Sequence, residues 1–406
     1  MSGVPEGNPG MEVSGATRLR RTRLGMGLVG AGFVGAHHLD AVRRLGFVEV
    51  IAIADSTADS AARRAEEFGV PKAYGDFEAL AADPSIDVVH VTTPNFLHAP
   101  VIRTAIAHGK HVIAEKPLAM TAVEARRLRE AAEAAGLVHA VTFNYRGNPM
   151  VQQAREMVAG GDVGPLHFVH GAYLQDWLLE ETDYSWRLEP DKGGRSSAFA
   201  DIGSHWCDLA QHVAGIRIEA VLADLTTVVT RRLKPAVFST FSPGSADTPR
   251  EEVAVESEDL ATVLLRFDGG IRGCVTIGQV CAGHKNDLWL EVSGRLGSLR
   301  WRQEQQNELW VGSRRQPNLL LTKDPSFMAP AARPYAYLPA GHQQGWSDAL
   351  TNVMRDVYTF IASGDEPSGP KPPAFSTFDD GYRAACIVEA ILDSHAAGGT
   401  WVTVAY

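Results

Sequence analysis

The chain of 406 residues contains no run of about twenty apolar residues, so nothing in it reads as a membrane-spanning helix. Residues 1–22 mix Gly, Pro and Arg without the apolar stretch of a secretory signal, and are expected to form a disordered N-terminal extension. Cysteine is scarce. Cys207, Cys274, Cys281 and Cys386 lie far apart with no C-x-x-C pair, which argues against a zinc knuckle or a disulfide framework and favours a reducing cytoplasm. Basic charge is also short: 38 Lys and Arg face 48 Asp and Glu, for a net charge of −10. A nucleic-acid or anionic-membrane partner is therefore not expected, and a small neutral or cationic substrate fits better.

What is present suits two packed domains, with 45% hydrophobic and 21% charged residues. From Leu24, "LGMGLVGAGFVGAHHLDAVRRLG" reads as a short apolar strand, a glycine-rich turn and a helix ending near Gly46. "VEVIAIAD" follows as a buried strand, then a helix over "STADSAARRAEEFG" with Gly69 as its stop. The strand "DVVHVTTP", a helix over Leu97 to His108, the strand "HVIAEKP", a helix over Ala122 to Ala135 and the strand "VHAVTFN" continue the alternation. Repeated β-α-β units of this length imply a doubly wound parallel sheet over residues 23–144, the α/β Rossmann arrangement.

After Asn144 the alternation stops. One strong helix is expected around Ser204 to Ala214, then strands in "DLATVLLRFDGGIRGCVTIGQV", "LWLEVSG", "GSLRWRQ" and "NELWVG", with Asp268-Gly269-Gly270 as a hairpin turn. Residues 145–406 thus read as an α+β domain with a large, mostly antiparallel sheet. The stretches from Arg231 to Glu252 and from Gln316 to Pro339 are expected as long loops, and a last helix over Phe378 to His395 precedes the strand "TWVTVAY".

"GAGFVG" sets Gly30, Gly32 and Gly35 between a strand and a helix, with Phe33 and Val34 inside the turn. Gly30 permits the tight turn, Gly32 lets the backbone approach a pyrophosphate, and Gly35 allows close helix–sheet packing. Asp55, 20 residues after Gly35, is placed to accept hydrogen bonds from ribose hydroxyls and to repel a 2′-phosphate, which favours NAD over NADP. Arg63 and Arg64 are expected to face solvent. "AEKPLA" sets Lys116 at the carboxyl edge of the sheet, beside the nicotinamide end of a bound dinucleotide.

Four motifs in order resemble the Gfo/Idh/MocA family of NAD(P)-dependent oxidoreductases acting on sugars, cyclitols and related polyols: G-x-G-x-x-G; Thr93-Pro94-Asn95 with His98; Glu115-Lys116-Pro117; and D-x-G-x-H-x-x-D from Asp201 to Asp208. The resemblance spans nearly everything from Leu24 onward. It implies that the second sheet is open and builds a homodimer or homotetramer. It further implies that Glu115 contacts the nicotinamide ribose, that the Lys116–Pro117 peptide is cis, that Thr93, Asn95, His98 and Asn144 line the cofactor site, and that Trp186 and Arg187 reach the cofactor.

On a helix, positions 201, 205, 208 and 212 fall within about 60° of one another, opposite an apolar face of Trp206, Leu209, Ala210 and Val213. The family pattern makes His205 the base for the hydroxyl proton, Asp201 a group that binds substrate and orients it or the histidine, and Lys116 the positive charge facing the alkoxide. Hydride leaves a carbinol carbon only as its hydroxyl loses a proton, so the chemistry requires a neutral base and a nearby cation. A metal shell is not expected, because nothing in the sequence completes one. Asp208 stands open between structure and substrate contact, His212 reads as a cap or surface residue, and His37 and His38 as packing or surface residues. Tyr145 and Gln175 are expected in the substrate pocket with Trp186 and Arg187, Arg146 is expected as structural, and Trp177 stands open between pocket and core.

One departure lies upstream of Asp201. Where many relatives carry a triple glycine, this chain has Gly193-Gly194 and then "RSSAFA", a longer loop carrying Arg195. With "DIGSHW" and "AGHQQGW", this form looks most like the branch of levoglucosan dehydrogenases and sugar or glycoside 3-dehydrogenases, and His342 of the second motif could approach the pocket. The expected activity is NAD-dependent oxidation of a secondary hydroxyl on a pyranose-type sugar, anhydrosugar or glycoside. A cyclitol dehydrogenase, an enzyme that retains NAD while cleaving glycosides, and a non-catalytic dinucleotide sensor stand beside it.

Overall fold

The computed structural model describes residues 23–236, 249–367 and 369–406, so the expected N-terminal extension lies outside the described residues. The first sheet is laid down by β1 (Leu24–Val29), α1 (Phe33–Arg43), β2 (Val48–Ala54), α2 (Ala58–Phe68), β3 (Lys72–Tyr74), α3 (Phe77–Ala82), β4 (Val88–Val91), α4 (Asn95–Ala107), β5 (His111–Ala114), α5 (Ala122–Ala134) and β6 (His139–Val141). Its strand order is β3-β2-β1-β4-β5-β6 and every neighbouring pair is parallel. Helices cover both faces, which is why β4 is buried throughout rather than alternating. Local chemistry sets the helix ends. Thr57, Asp76 and Thr121 accept the N–H groups of Ser60, Ala79 and Glu124, and Gly69 closes α2 in the left-handed region at φ 60°.

The remaining elements are α6 (Pro149–Ala159), β7 (Leu166–Leu174), the one-turn α7 (Pro190–Gly193), α8 (Ser204–Ala214), β8 (Ile218–Thr226), β9 (Arg231–Pro235), β10 (Arg250–Ala254), β11 (Leu260–Phe267), β12 (Arg272–Gly278), β13 (Asp287–Gly294), β14 (Gly297–Arg302), β15 (Glu308–Ser313), β16 (Leu319–Thr322), α9 (Trp346–Ser363), α10 (Phe378–Ala396) and β17 (Val402–Thr403). Nine of the strands form a second sheet in the order β16-β15-β14-β13-β7-β12-β11-β8-β17, antiparallel except for β7 with β12. Period-two alternation shows in β13, where Leu288, Leu290 and Val292 are buried while Trp289 and Glu291 lie on the other, partly exposed face.

Two expectations need correction, and one helix was not foreseen. The ends of the Arg231–Glu252 stretch pair as the hairpin β9–β10, while residues 237–248 lie outside the described residues. Residues Leu319–Thr322, inside the second expected loop, extend the sheet as β16 against β15. The unexpected α9 returns to the first sheet, where Leu350, Met354, Val357 and Tyr358 share a buried cluster with Met26, Leu28, Leu39 and Val42.

Candidate active site

The carboxyl ends of β1, β4, β5 and β6 carry the motifs singled out in the sequence, at the point where the strand order reverses. Gly30 adopts φ 89° and donates its N–H to the Ala54 carbonyl at 2.9 Å, and a Cβ there would stand 2.9 Å from Thr92 O and Thr93 N. At Gly35 a Cβ would stand 2.5 Å from the Gly30 carbonyl oxygen, so α1 packs too closely on the turn for any other residue. Gly32 differs. No heavy atom of the described residues lies within 4 Å of its Cβ position, so its backbone faces an open cleft at the amino end of α1. Phe33 is exposed beside it and Val34 half-buried.

Asp55 follows β2 and is half-buried, its carboxylate accepting from the Ser56 N–H at 2.7 Å and the Ser60 hydroxyl at 2.8 Å. Arg64 is not solvent-facing as expected. It is half-buried and folds back on the glycine turn, donating Nε to the Ala31 carbonyl at 2.7 Å. A flat guanidinium is thereby held against the segment between Gly30 and Gly32.

The second wall of the cleft is tied together from behind. His98, 1% exposed, lies between the carbonyl oxygens of Pro117 at 2.7 Å and Thr93 at 2.9 Å, joining the turn after β4 to the Glu115-Lys116-Pro117 segment. Burial keeps the ring neutral, so one N–H donates to one of these carbonyls at a time, and the ring wedged between them shapes the wall. Asn95 donates to the Gly193 carbonyl at 2.9 Å and so bridges to α7. The Lys116–Pro117 peptide is cis.

His205 and Asp201 approach Lys116 from the other lobe. Residues Phe199–Gly203 form a π-helical turn that runs into α8, so Asp201 sits on a wider turn than the regular helix expected. Glu258 anchors the start of this turn, accepting from the Ser196 hydroxyl at 2.6 Å and from the N–H groups of Phe199 at 2.9 Å and Ser197 at 3.1 Å. The "RSSAFA" departure is therefore a built scaffold for Asp201, with Arg195 exposed outside it. Asp201 Oδ1 lies 2.6 Å from Lys116 Nζ and 3.1 Å from Arg187 Nε, and Oδ2 accepts from Gln279 Nε2 at 2.9 Å. Both carboxylate oxygens are thus occupied, and the group orients Lys116 rather than presenting a free face.

Electrostatics follow from this packing. Burial alone would raise the Asp201 pKa, but the charges of Arg187 and Lys116 outweigh it and hold the carboxyl well below its usual range. Burial, reinforced by Lys116, pushes His205 down to about 3 against the opposing pull of Glu115 and Asp201, so its ring is neutral. Tyr145 and Phe143 stand edge-on to that ring at 5.2 and 5.7 Å between centroids.

The apolar stripe of α8, Trp206, Leu209, Ala210 and Val213, lies in the core, and on the polar stripe His205 and Asp208 are buried as well. Asp208 faces away from the cleft and forms a fork with Arg146, which also reaches Asp380 at 2.9 Å; Arg146 is structural, and Asp208 with it. His212 is half-buried and bonded to Gln152 at 3.2 Å instead of capping the helix at the surface. Among the described residues no group of three or more His, Cys, Asp or Glu side chains is placed to hold a metal ion.

Beyond His205, the Tyr145 and Tyr173 hydroxyls meet at 2.7 Å, Tyr173 donates to Asn286 at 2.6 Å, and the Gln175 amide joins Asn286 at 3.0 Å and the Trp177 indole N–H at 3.0 Å. Tyr145 and Gln175 thus belong to one hydrogen-bonded cluster beside the cleft. Arg187 stacks on Trp186 at 4.5 Å while holding Asp201. His342 is exposed and lines a separate polar cavity of about 570 Å³ with Glu304, Lys323 and Gln344. Gln279, Asn286 and Glu258 were not foreseen; each lies at or beyond the end of a strand and is joined to the site only by tertiary contact.

Do these residues fit a dinucleotide and an alcohol? Four buried polar atoms around the cleft have no hydrogen-bond partner among the described residues: Thr93 Oγ1, Asn144 Nδ2, Arg187 Nη1 and His205 Nδ1. Buried polar atoms are rarely left so. Thr93 adjoins the Gly30 turn, Arg187 holds Asp201 and His205 lies within the field of Lys116, and together the four atoms supply both donors and acceptors, so the fit is good.

A doubly wound sheet with an open glycine turn, facing an oriented lysine and a neutral buried imidazole, defines a dinucleotide-dependent oxidoreductase. Residues 24–143 match the model of the oxidoreductase family with NAD-binding Rossmann fold, and residues 151–300 match the GFO/IDH/MocA C-terminal domain. The chain belongs to the Gfo/Idh/MocA family of oxidoreductases. It is 32% identical over 403 residues to levoglucosan dehydrogenase of Pseudarthrobacter phenanthrenivorans, covering 94% of this chain and 98% of that protein. A levoglucosan dehydrogenase solved with NADH and levoglucosan is similar with a TM-score of 0.83 at 30% identity, over 95% of this chain and 100% of that one. An inositol dehydrogenase homologue from Azotobacter vinelandii, solved with NAD+, gives 0.81 at 27% identity over 94% of this chain and 97% of that one.

Proposed function

We propose that this chain oxidises a secondary hydroxyl of a pyranose-type sugar, anhydrosugar or glycoside with NAD, a reading that the likeness to levoglucosan dehydrogenase supports. Residues 23–144 would hold the dinucleotide and residues 145–406 the substrate. Gly30, Gly32, Phe33, Val34 and Gly35 would hold the pyrophosphate, Asp55 the adenosine ribose, and Thr93, Asn95, Glu115, Asn144, Trp186 and Arg187 the nicotinamide half, with His98 bracing that wall. Asp55 favours NAD over NADP by repelling a 2′-phosphate. Bound nicotinamide supplies the acceptor for the hydride.

The chain's own residues do the rest. His205, kept neutral, takes the hydroxyl proton on a ring nitrogen. Lys116 stabilises the alkoxide that develops more than the alcohol that precedes it, which is the condition for a faster reaction. Asp201 is a positioning residue that aims the ammonium. A base as weak as His205 accepts the proton only as Lys116 stabilises the oxygen losing it, so the two groups act together. Tyr145 and Gln175 would set the substrate wall. The observation that carries this reading is the convergence of Lys116, from the edge of the first sheet, with Asp201 and the α8 that bears His205, at 2.6 Å.

The partly exposed sheet face bearing Trp289, Trp310 and Leu264 is proposed to pair with a second copy, giving a homodimer or homotetramer. A cyclitol substrate is the second reading, favoured by the inositol dehydrogenase homologue and by a myo-inositol 2-dehydrogenase from Thermotoga maritima, 27% identical over 274 residues. NADH formation is to be measured with levoglucosan, glucosides and myo-inositol as substrates. Turnover of the first two supports the leading reading, myo-inositol alone the second, and cleavage of a glucoside without net NADH would show the cofactor being retained through the cycle. No turnover across a broad sugar and cyclitol panel would sink both readings.

A further inference from the structure

Behind the cofactor wall four groups form one continuous hydrogen-bonded chain. Glu115 Oε1 lies 3.2 Å from His38 Nε2, His38 Nδ1 lies 2.9 Å from His90 Nδ1, and His90 Nε2 lies 2.8 Å from the Tyr358 hydroxyl. These residues come from the β5 edge, α1, β4 and α9, and His38, His90 and Tyr358 are each 0% exposed. His38 is therefore not the plain packing or surface residue that its position on α1 suggested.

With both rings neutral, the protons have only two self-consistent orders. In the first, the Tyr358 O–H donates to His90 Nε2, the His90 Nδ1–H donates to His38 Nδ1, and the His38 Nε2–H donates to an ionised Glu115. In the reverse order Glu115 must carry a proton, and the Tyr358 O–H is left without an acceptor, since His90 is its one hydrogen-bond partner among the described residues. A buried donor without an acceptor is costly. The carboxylate end decides the same way: the Lys116 backbone N–H points at Glu115 Oε2 at 3.3 Å, and Lys116 supplies positive charge beside it. Both ends select the first order.

We propose that His38, His90 and Tyr358 are positioning residues that hold Glu115 as an oriented carboxylate for the nicotinamide ribose. The proposal rests on the reading of Glu115 given above. Glu115 Oε1 is spent on His38, which turns Oε2 toward the Lys116 side of the cleft. The chain also ties the cofactor wall to α9, an element from the far end of the sequence.

Two measurements on the full chain test this. Histidine-selective 15N labelling, assigned with His38→Gln and His90→Gln, should show His90 protonated at Nδ1 and His38 at Nε2; the opposite tautomers would overturn the ordering. NADH titration then compares Tyr358→Phe, Glu115→Gln and the double variant. Tyr358→Phe should weaken binding about threefold to tenfold, Glu115→Gln at least as much, and the double variant less than about twofold beyond Glu115→Gln, because both act through one carboxylate. If Glu115→Gln weakens binding but Tyr358→Phe alters only the melting temperature, the proposal fails while the cofactor reading stands. If Glu115→Gln binds NADH like the unaltered chain, the assignment of Glu115 to the ribose fails and the positioning role goes with it.

Discussion

Gly32 and Gly35 lie on one turn, yet a single added methyl group should act on them in opposite ways. In Gly35→Ala the new Cβ would meet the Gly30 carbonyl oxygen at 2.5 Å, so α1 must shift off β1. Overpacking of this kind costs about 1–3 kcal/mol of stability. In Gly32→Ala nothing in the described residues lies within 4 Å, and the backbone at φ −77° and ψ −160° suits alanine. Replacing glycine by alanine at this N-cap costs about 0.5–1 kcal/mol, and the stiffer unfolded chain returns about 0.4–1 kcal/mol. Stability should therefore stay within about 0.5 kcal/mol. Binding should not. The methyl group would occupy the space through which a pyrophosphate reaches the amino end of α1, and a hydrogen bond to a charged group is worth about 1.5–3 kcal/mol. NADH affinity should fall roughly 10- to 100-fold. Fluorescence titration with NADH, paired with urea unfolding in its absence, separates the two effects. A Gly32→Ala chain that binds NADH within about twofold of the unaltered one, or that unfolds as early as Gly35→Ala, would refute the placement of the pyrophosphate on this turn.

Replacing Lys116 with Met removes the charge proposed to face the alkoxide while Asp201 keeps Arg187 and Gln279 as partners; kcat should fall about 10²- to 10³-fold with NADH affinity nearly unchanged, and a loss under tenfold would remove Lys116 from the chemistry. Arg146→Leu leaves Asp208 and Asp380 without their shared cation beneath α8 and should cost about 3–5 kcal/mol in urea unfolding, whereas a loss below about 1 kcal/mol would show that the carboxyls neutralise themselves. Stability should also fall with acid. Burial pushes His139 down to about 4 and His205 to about 3, both below the unfolded value near 6.5, so between these limits only the unfolded chain gains the protons. Each should cost about 2 kcal/mol between about pH 8 and pH 5, and equal unfolding midpoints at the two pH values would contradict the burial of these rings as neutral groups.

Much of this arrangement was legible because its signals are local. The glycine turn, Asp55, the Glu115-Lys116-Pro117 edge and the helix bearing His205 each announce themselves within a few residues, and the parallel sheet follows from their alternation. β3 and α3 were missed because three and six residues are too short to establish a period. α9 was legible in principle: Leu350, Val353, Met354, Val357, Tyr358 and Ile361 keep helical spacing, the Asp348 carboxylate accepts the Gly345 N–H at 2.6 Å in the first turn, and Gly364 ends the helix at φ 72°. Partners are a different matter. That Asp201 would spend both oxygens on Lys116, Arg187 and Gln279, or that His38 would find His90 and Glu115, depends on how residues from distant segments pack, and no spacing encodes it. Residue type and position along the chain mark where the chemistry sits, whereas the charge state and aim of each group are set by neighbours that only the fold brings within 3 Å. The same lysine or histidine motif on a differently packed wall would therefore be expected to hold a different pKa and favour a different substrate.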